Sequence, residues 1–166
     1  LDFFFHMVGI VMLKARKILL ASHGTEGARA AERLALNLCR SGATLRHLVV
    51  VPDFWKGMMG DDWLNNASTQ AAFGRYVETR LEDEVRRHIA KVRRRAEKRR
   101  TRYLPTVVLG KPSDCLLDEV GRGKVDLVVL GSPRPRGKPG LRSRMLTDEL
   151  LKRLRTPVLV APYPNA

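Results

Sequence analysis

Five short apolar runs punctuate the chain: Ile18-Leu19-Leu20-Ala21, Leu48-Val49-Val50-Val51, Thr106-Val107-Val108-Leu109, Leu127-Val128-Val129-Leu130 and Val158-Leu159-Val160-Ala161. Their apolarity is continuous rather than alternating, as in parallel strands of an α/β sheet whose two faces are both covered. The intervals between them carry helical periodicity. In the first interval, Ala28, Ala31, Leu34, Ala35, Leu38 and Cys39 recur at spacings of three and four, which puts Cys39 on the inner face of a helix; Arg40-Ser41-Gly42 follows as a glycine stop. In the second, Val77, Leu81, Val85, Ile89, Val92 and Ala96 form a stripe that predicts one amphipathic helix over Tyr76 to Arg100. The third opens with Gly110-Lys111-Pro112-Ser113-Asp114, with Ser113 the expected N-cap and Leu116, Leu117 and Val120 facing inward. The last interval holds a helical segment from Leu146 to Arg155 that stops before Pro157. Strands alternating with helices in this way predict an open, doubly wound parallel sheet with helices on both faces and right-handed crossovers. Such sheets bind ligands outside the carboxyl ends of their strands, so the loops after Ala21, Val51, Leu109 and Leu130 are where chemistry is expected.

Length and composition narrow this picture without changing it. The 166 residues suit a single domain with a proper core, and 44% hydrophobic content supplies the material to fill it. Only two cysteines are present, Cys39 and Cys115, and neither belongs to a CxxC or Cys/His cluster. A disulfide scaffold and a structural zinc site are excluded as organising principles, and reduced thiols fit a cytoplasmic protein. The leading segment DFFFHMVGIVML (Asp2 to Leu13) is too short to span a bilayer and lacks the basic residues that precede a signal-peptide core. The expected division is an apolar extension over residues 1–13, with the natural start near Met12, and one domain over residues 14–166. If the extension is native, Phe3, Phe4 and Phe5 are expected to pack on a partner subunit.

Charge has an address. Thirty-one Lys and Arg against seventeen Asp and Glu give +14, which attracts phosphate, nucleic acid and anionic surfaces at long range. From Arg86 to Arg102 there are ten basic residues and one acid, Glu97. Acids early in the second helix (Glu78, Glu82, Asp83, Glu84) and bases late complement its macrodipole, so part of the cluster has a structural cause. A second basic segment, Gly131-Ser132-Pro133-Arg134-Pro135-Arg136-Gly137-Lys138-Pro139-Gly140-Leu141-Arg142, follows the fourth strand and combines glycines with cations, which is phosphate-binding chemistry. It is neither a Walker A sequence nor a dinucleotide fingerprint. After the first strand comes Ser22-His23-Gly24-Thr25-Glu26-Gly27. No nucleophile and base are placed there by spacing, because Ser22 and His23 are adjacent. The long connection Pro52 to Ser68 carries Trp55 and Trp63, weighted toward packing over base stacking. Asp126 falls at the amino end of its strand, away from the crevice.

The segments KILLASHGTEGARAAERLAL, LRHLVVVPD, VVLGKPSDCLLDEVGRGKVDLVVLGSPRPRGKPGL and LLKRLRTPVLVAPYP together resemble the universal stress protein family over about Met12 to Pro164. The resemblance implies a sheet in the order 3-2-1-4-5, homodimerisation through the last strand, a cytoplasmic location and, in one branch, ATP binding. It also places the first two helices on one face and the last two on the other, with Cys39 and Cys115 on opposite faces and unpaired. The ATP-binding branch carries Gly-x2-Gly-x9-Gly-Ser/Thr after the fourth strand and an Asp after the first. Here Gly131 matches the first glycine, Arg134 stands at the second, Thr147-Asp148 replaces the terminal Gly-Ser, and His23 replaces the Asp. Two carboxylates, Asp148 and Glu149, thus sit where backbone N–H groups would meet phosphates, and the bland reading of Thr147 is a helix N-cap followed by dipole-favouring acids.

The candidate nucleotide-binding residues carried from this resemblance are Ala21, His23, Gly24, Thr25, Val51, Leu130, Gly131, Arg134, Arg136, Gly137, Gly140, Arg142 and Thr147. The expected ligand is ATP or AMP, with no metal, no catalytic residues and no enzymatic activity. The expected role is a regulatory or stress-response module. The alternative is a dimeric module that binds no nucleotide and uses the basic helix and loop on polyanions such as nucleic acid.

Overall fold

The computed structural model describes residues 15–22, 25–51, 67–137 and 145–164, with side chains in the second helix from Arg80 onward. In chain order the elements are β1 (Lys17–Ser22), α1 (Glu26–Leu38), β2 (Thr44–Val51), α2 (Ala67–Lys98), β3 (Arg102–Leu109), α3 (Pro112–Gly121), β4 (Leu127–Gly131), α4 (Asp148–Arg153) and β5 (Val158–Ala161). The strands form one sheet in the order β3-β2-β1-β4-β5, and every pairing is parallel. From β1 the chain winds outward to β3, then returns to β4 and winds outward to β5. The strand order therefore reverses between β1 and β4, and the crevice of a doubly wound sheet lies at their carboxyl ends.

Alternate strand residues feed two cores. On one face Ile18, Leu20, Leu45, Leu127 and Val129 pack under Ala31, Ala35 and Leu36 of α1 and Val92 and Ala96 of α2. On the other, Leu19, Leu48, Val50, Val128 and Leu130 pack under Leu116 of α3 and Leu150 of α4. The cysteines follow this division: Cys39 is buried in the first core, Cys115 packs against the second, and both are free. Burial raises the Cys39 thiol to a pKa of about 11, which keeps it protonated.

Several local expectations are corrected. Cys39 sits one residue beyond α1 as its C-cap, its N–H bonding Ala35 O at 3.1 Å. The second helix starts at Ala67 rather than Tyr76, so the connection from Pro52 is shorter than expected; Ala67, Gln70, Ala71 and Ala72 are good helix formers that carry it beyond the apolar stripe. Ser113 does not cap α3. Lys111 holds the N-cap position without a side-chain bond, and Pro112 occupies the first helical position, where its fixed φ suits a helix and its missing N–H costs nothing; Ser113 is buried in the first turn. The last helix is shorter than Leu146 to Arg155, because Thr147 caps it and Leu154 ends it. β2 and β3 begin four residues earlier than their apolar runs, at Thr44 and Arg102. Pro105 lies within β3, which is tolerated because β3 is a sheet edge. At the amino end, Asp126 Oδ2 accepts from the N–H groups of Arg16 and Lys17, both at 2.9 Å, and pins the start of β1. Those two bonds hold its carboxyl below the ordinary value.

Candidate functional site

At the switch point, the backbones of two elements touch. A Cβ on Gly131 would overlap the Gly27 carbonyl, and a Cβ on Gly27 would overlap the Ser132 carbonyl oxygen. Only glycine at both positions lets the exit of β4 lie on the first turn of α1. That helix is thirteen residues long and carries the partial positive charge of an N-terminus. Thr25 caps it, its Oγ1 accepting from Ala28 N at 3.2 Å. Ser132 N donates to Ala161 O at 2.9 Å and extends the β4–β5 ladder by one residue. The Ser132 hydroxyl is buried and has no hydrogen-bond partner among the described residues. A buried hydroxyl without a partner is costly, and the Ser132 backbone that carries it lies against Gly27 in the first turn of α1.

The expected site residues distribute around this contact unevenly. Thr25 and Gly131 are at it. Ala21 and Leu130 are the penultimate residues of β1 and β4, with side chains buried in the core under α3 and α4. Val51 is half-buried at the end of β2. Arg134 is half-buried in the loop beyond Ser132, while Arg136 and Gly137 are exposed in a turn where Gly137 takes φ 82°. Thr147 is the N-cap of α4, its Oγ1 accepting from Leu150 N at 3.1 Å, with Asp148 and Glu149 in the first turn. His23, Gly24, Gly140 and Arg142 lie outside the described residues, as do Trp55, Trp63 and residues 1–14. Gly27 and Ser132 are missing from the sequence-derived set. The mutual dependence of two glycines more than a hundred positions apart leaves no mark in either local sequence.

A second polar group, also unanticipated, lies in the core beneath α1 and α2. His47 of β2 is 1% exposed and bonds Ser22 Oγ through Nε2 at 2.8 Å and the Tyr103 hydroxyl through Nδ1 at 2.7 Å. Burial, helped by His88, lowers its pKa to about 3. Burial likewise raises the Tyr103 hydroxyl above its ordinary range. Neutral imidazole offers one donor and one acceptor, so His47 satisfies both neighbours without a charge. Around it, Glu32 of α1 accepts from Arg95 at 2.8 Å and meets His88 Nε2 at 3.2 Å, and Arg93 lies 5.4 Å from the Tyr103 ring centre. The one sequence signal for this group is a histidine at an inward position of an otherwise apolar run.

Elsewhere, a shallow depression of about 560 Å³ lined by Val120 to Asp126 and Thr156 opens at the amino ends of the strands, away from the crevice. Among the described residues no three His, Cys, Asp or Glu side chains are grouped to hold a metal ion, and no helix is long and apolar enough to cross a membrane.

A model of the universal stress protein family matches residues 14–162. The chain belongs to the universal stress protein family. Solved structures share its fold. The hypothetical protein MJ0577 superposes with a TM-score of 0.65 at 19% identity over 91% of this chain and 98% of its own. A universal stress protein family member from Burkholderia pseudomallei gives 0.55 at 22% identity over 90% and 96%, and UspA from Lactobacillus plantarum gives 0.58 at 18% over 87% and 95%. A universal stress protein described in complex with cAMP gives 0.51 at 19% over 90% and 98%. No curated protein matches the sequence. The family membership and the 3-2-1-4-5 sheet agree with the resemblance read from the residues.

Proposed function

We propose that this universal stress protein is a non-catalytic regulatory module that binds an adenine nucleotide, AMP or ATP, at the junction of α1 and β4 and dimerises through β5. The observation that carries the reading is the Gly27–Gly131 contact, which sets the first turn of α1 against the backbone of Gly131 and of Ser132, whose buried hydroxyl has no partner among the described residues. Together these offer a phosphate backbone N–H groups, a partial positive charge and a hydroxyl donor. Arg134 and Arg136 stand on the same loop and add charge. That a family relative is described in complex with cAMP supports a ligand of this class. The altered motif bears on which nucleotide is preferred. Thr147 already caps α4, and Asp148 and Glu149 occupy its first turn, so a triphosphate reaching that helix meets like charges. AMP is therefore expected to bind at least as tightly as ATP.

Ser22 and His47 are hydrogen-bonded, but a histidine with a pKa near 3 is too weak a base to activate a hydroxyl at neutral pH. Dimerisation through β5 is supported by the exposed Leu159 and Val160 on a strand that pairs only with β4 among the described strands. Calorimetry with AMP and ATP, run beside sedimentation equilibrium, tests the proposal. Saturable binding by a dimer is expected; a folded protein that stays monomeric and gives no heat at millimolar nucleotide overturns it.

A further inference from the structure

α2 sorts its cations into two sets. Those leaning toward the body of the protein are used: Arg95 pairs with Glu32, Arg99 donates to Leu36 O and Asn37 Oδ1, and Arg93 lies over Tyr103. Arg87, Lys91, Arg94 and Lys98 are all exposed and make no ion pair among the described residues. They stand at i, i+4, i+7 and i+11, which at 3.6 residues per turn confines them to an arc of about 60°. Val85, Ile89, Val92 and Ala96 mark the opposite side, and Val92 and Ala96 are fully buried against the sheet. The stripe thus points straight outward from a helix fixed along its other side. Glu97 lies about a quarter turn away from it.

The macrodipole accounts for little of this, because its influence is confined to the last turn. Arg87, Lys91 and Arg94 precede the helix end at Lys98 by eleven, seven and four residues. Two further exposed cations follow the helix. Arg100 is the second residue past the helix and takes φ 54°, a conformation that favours glycine, and Arg102, two residues on, is exposed. The turn closes with Thr101 N bonding Ala96 O and Arg100 N bonding Glu97 O, the pattern in which glycine is the usual residue at Arg100's place. Here the chain carries a cation instead.

We infer that the outer face of α2 is a docking surface for the phosphate backbone of double-stranded nucleic acid, read without regard to sequence. The four cations span about 16 Å along the helix, and one DNA strand presents a phosphate about every 3.4 Å of axis, so the stripe faces several at once. No aromatic side chain stands among them to stack a base, and none of the four is held in the bidentate geometry that reads a base edge. A membrane surface fits less well, because Ile89, Val92 and Ala96, on the side of α2 opposite the stripe, are committed to the core and cannot enter lipid. The surface is separate from the α1–β4 junction and stands whether or not a nucleotide binds there.

The test is fluorescence anisotropy with a labelled duplex of about 20 base pairs, in two unrelated sequences, over roughly 50 to 300 mM salt. Log affinity against log salt should fall with a slope of about −4, equally for both sequences. Lys91→Gln and Arg94→Gln should each reduce the slope by about one while leaving thermal unfolding unchanged, because both side chains are exposed. Replacing all four by glutamine should weaken binding at least about 100-fold at low salt, and Ser132→Ala should leave it intact. A slope that the glutamine variants do not change, a strong sequence preference, or tighter binding to phosphatidylserine vesicles than to DNA overturns the assignment.

Discussion

His47 is the residue whose burial couples this fold to pH. Its folded pKa of about 3 lies below the ordinary value of 6.5, so the unfolded chain binds the proton more readily between those limits. Stability is therefore full above pH 6.5 and falls as pH drops toward 3, by at most about 1.4 kcal/mol per pH unit for this one group. Asp126 contributes in a separate window: its carboxyl is held below 3.8, so its share is lost only at more acid pH. Urea unfolding of the native protein and of His47→Gln at pH 6.5 and 4.5 isolates the effect. The variant should be less stable at both values, yet lose less between them; an unchanged difference would show that His47 is not the titrating group. This cluster is the part of the molecule least legible in the sequence. A histidine inside RHLVVV reads as an interruption of a strand, and its partners Ser22 and Tyr103 come from two other strands. Thr147 is the opposite case: its cap bond and the two acids after it follow from a local pattern that needs no tertiary information.

At the scale of elements, apolar runs are readable wherever both faces of a strand are covered, and this locates the middle of each strand. The amino ends of β2 and β3 escape because Arg46, His47 and Pro105 break the run for reasons that lie in other elements. Arg46 shows the reason most clearly. Its guanidinium pairs with Glu119 of α3 and also donates to the Glu119 carbonyl at 3.3 Å. The Glu119 side chain is only 6% exposed and has Arg122 as a further neighbour at 3.8 Å. A charged strand residue here is thus the link that seats α3 on the sheet. Arg46→Met strands a buried carboxylate and is expected to cost about 3 kcal/mol in chemical unfolding, whereas Arg46→Met combined with Glu119→Leu should recover most of that loss. A double variant as unstable as the single one would show that the pair matters for packing rather than for charge. Helix extents follow the same logic: the later residues of the apolar stripe, Ile89, Val92 and Ala96, pack in the core under the sheet, while the start at Ala67 lies beyond the stripe in a run of good helix formers.

For the molecule as a whole, the surplus of positive charge divides between two places. One is the loop after β4, beside the α1 N-terminus, and the other is the outer side of α2, which packs near the opposite edge of the sheet from β5. A dimer built on β5 would leave the outer side of α2 accessible, because α2 packs near β3 at the opposite edge. The family and the sheet order are legible from sequence because they depend on runs and motifs that persist along the chain. The junction is not, because it consists of a Gly27–Gly131 backbone contact and the Ser132 hydroxyl stranded beside it. Nucleotides are themselves polyanions, so binding alone does not distinguish the junction from the basic stripe. Amide chemical-shift mapping during titration with AMP does. If AMP binds at the junction, saturable shifts concentrate at Thr25 to Arg29 and Gly131 to Gly137, with Arg87 to Lys98 unaffected; shifts confined to α2, or none at saturating AMP, would contradict binding there.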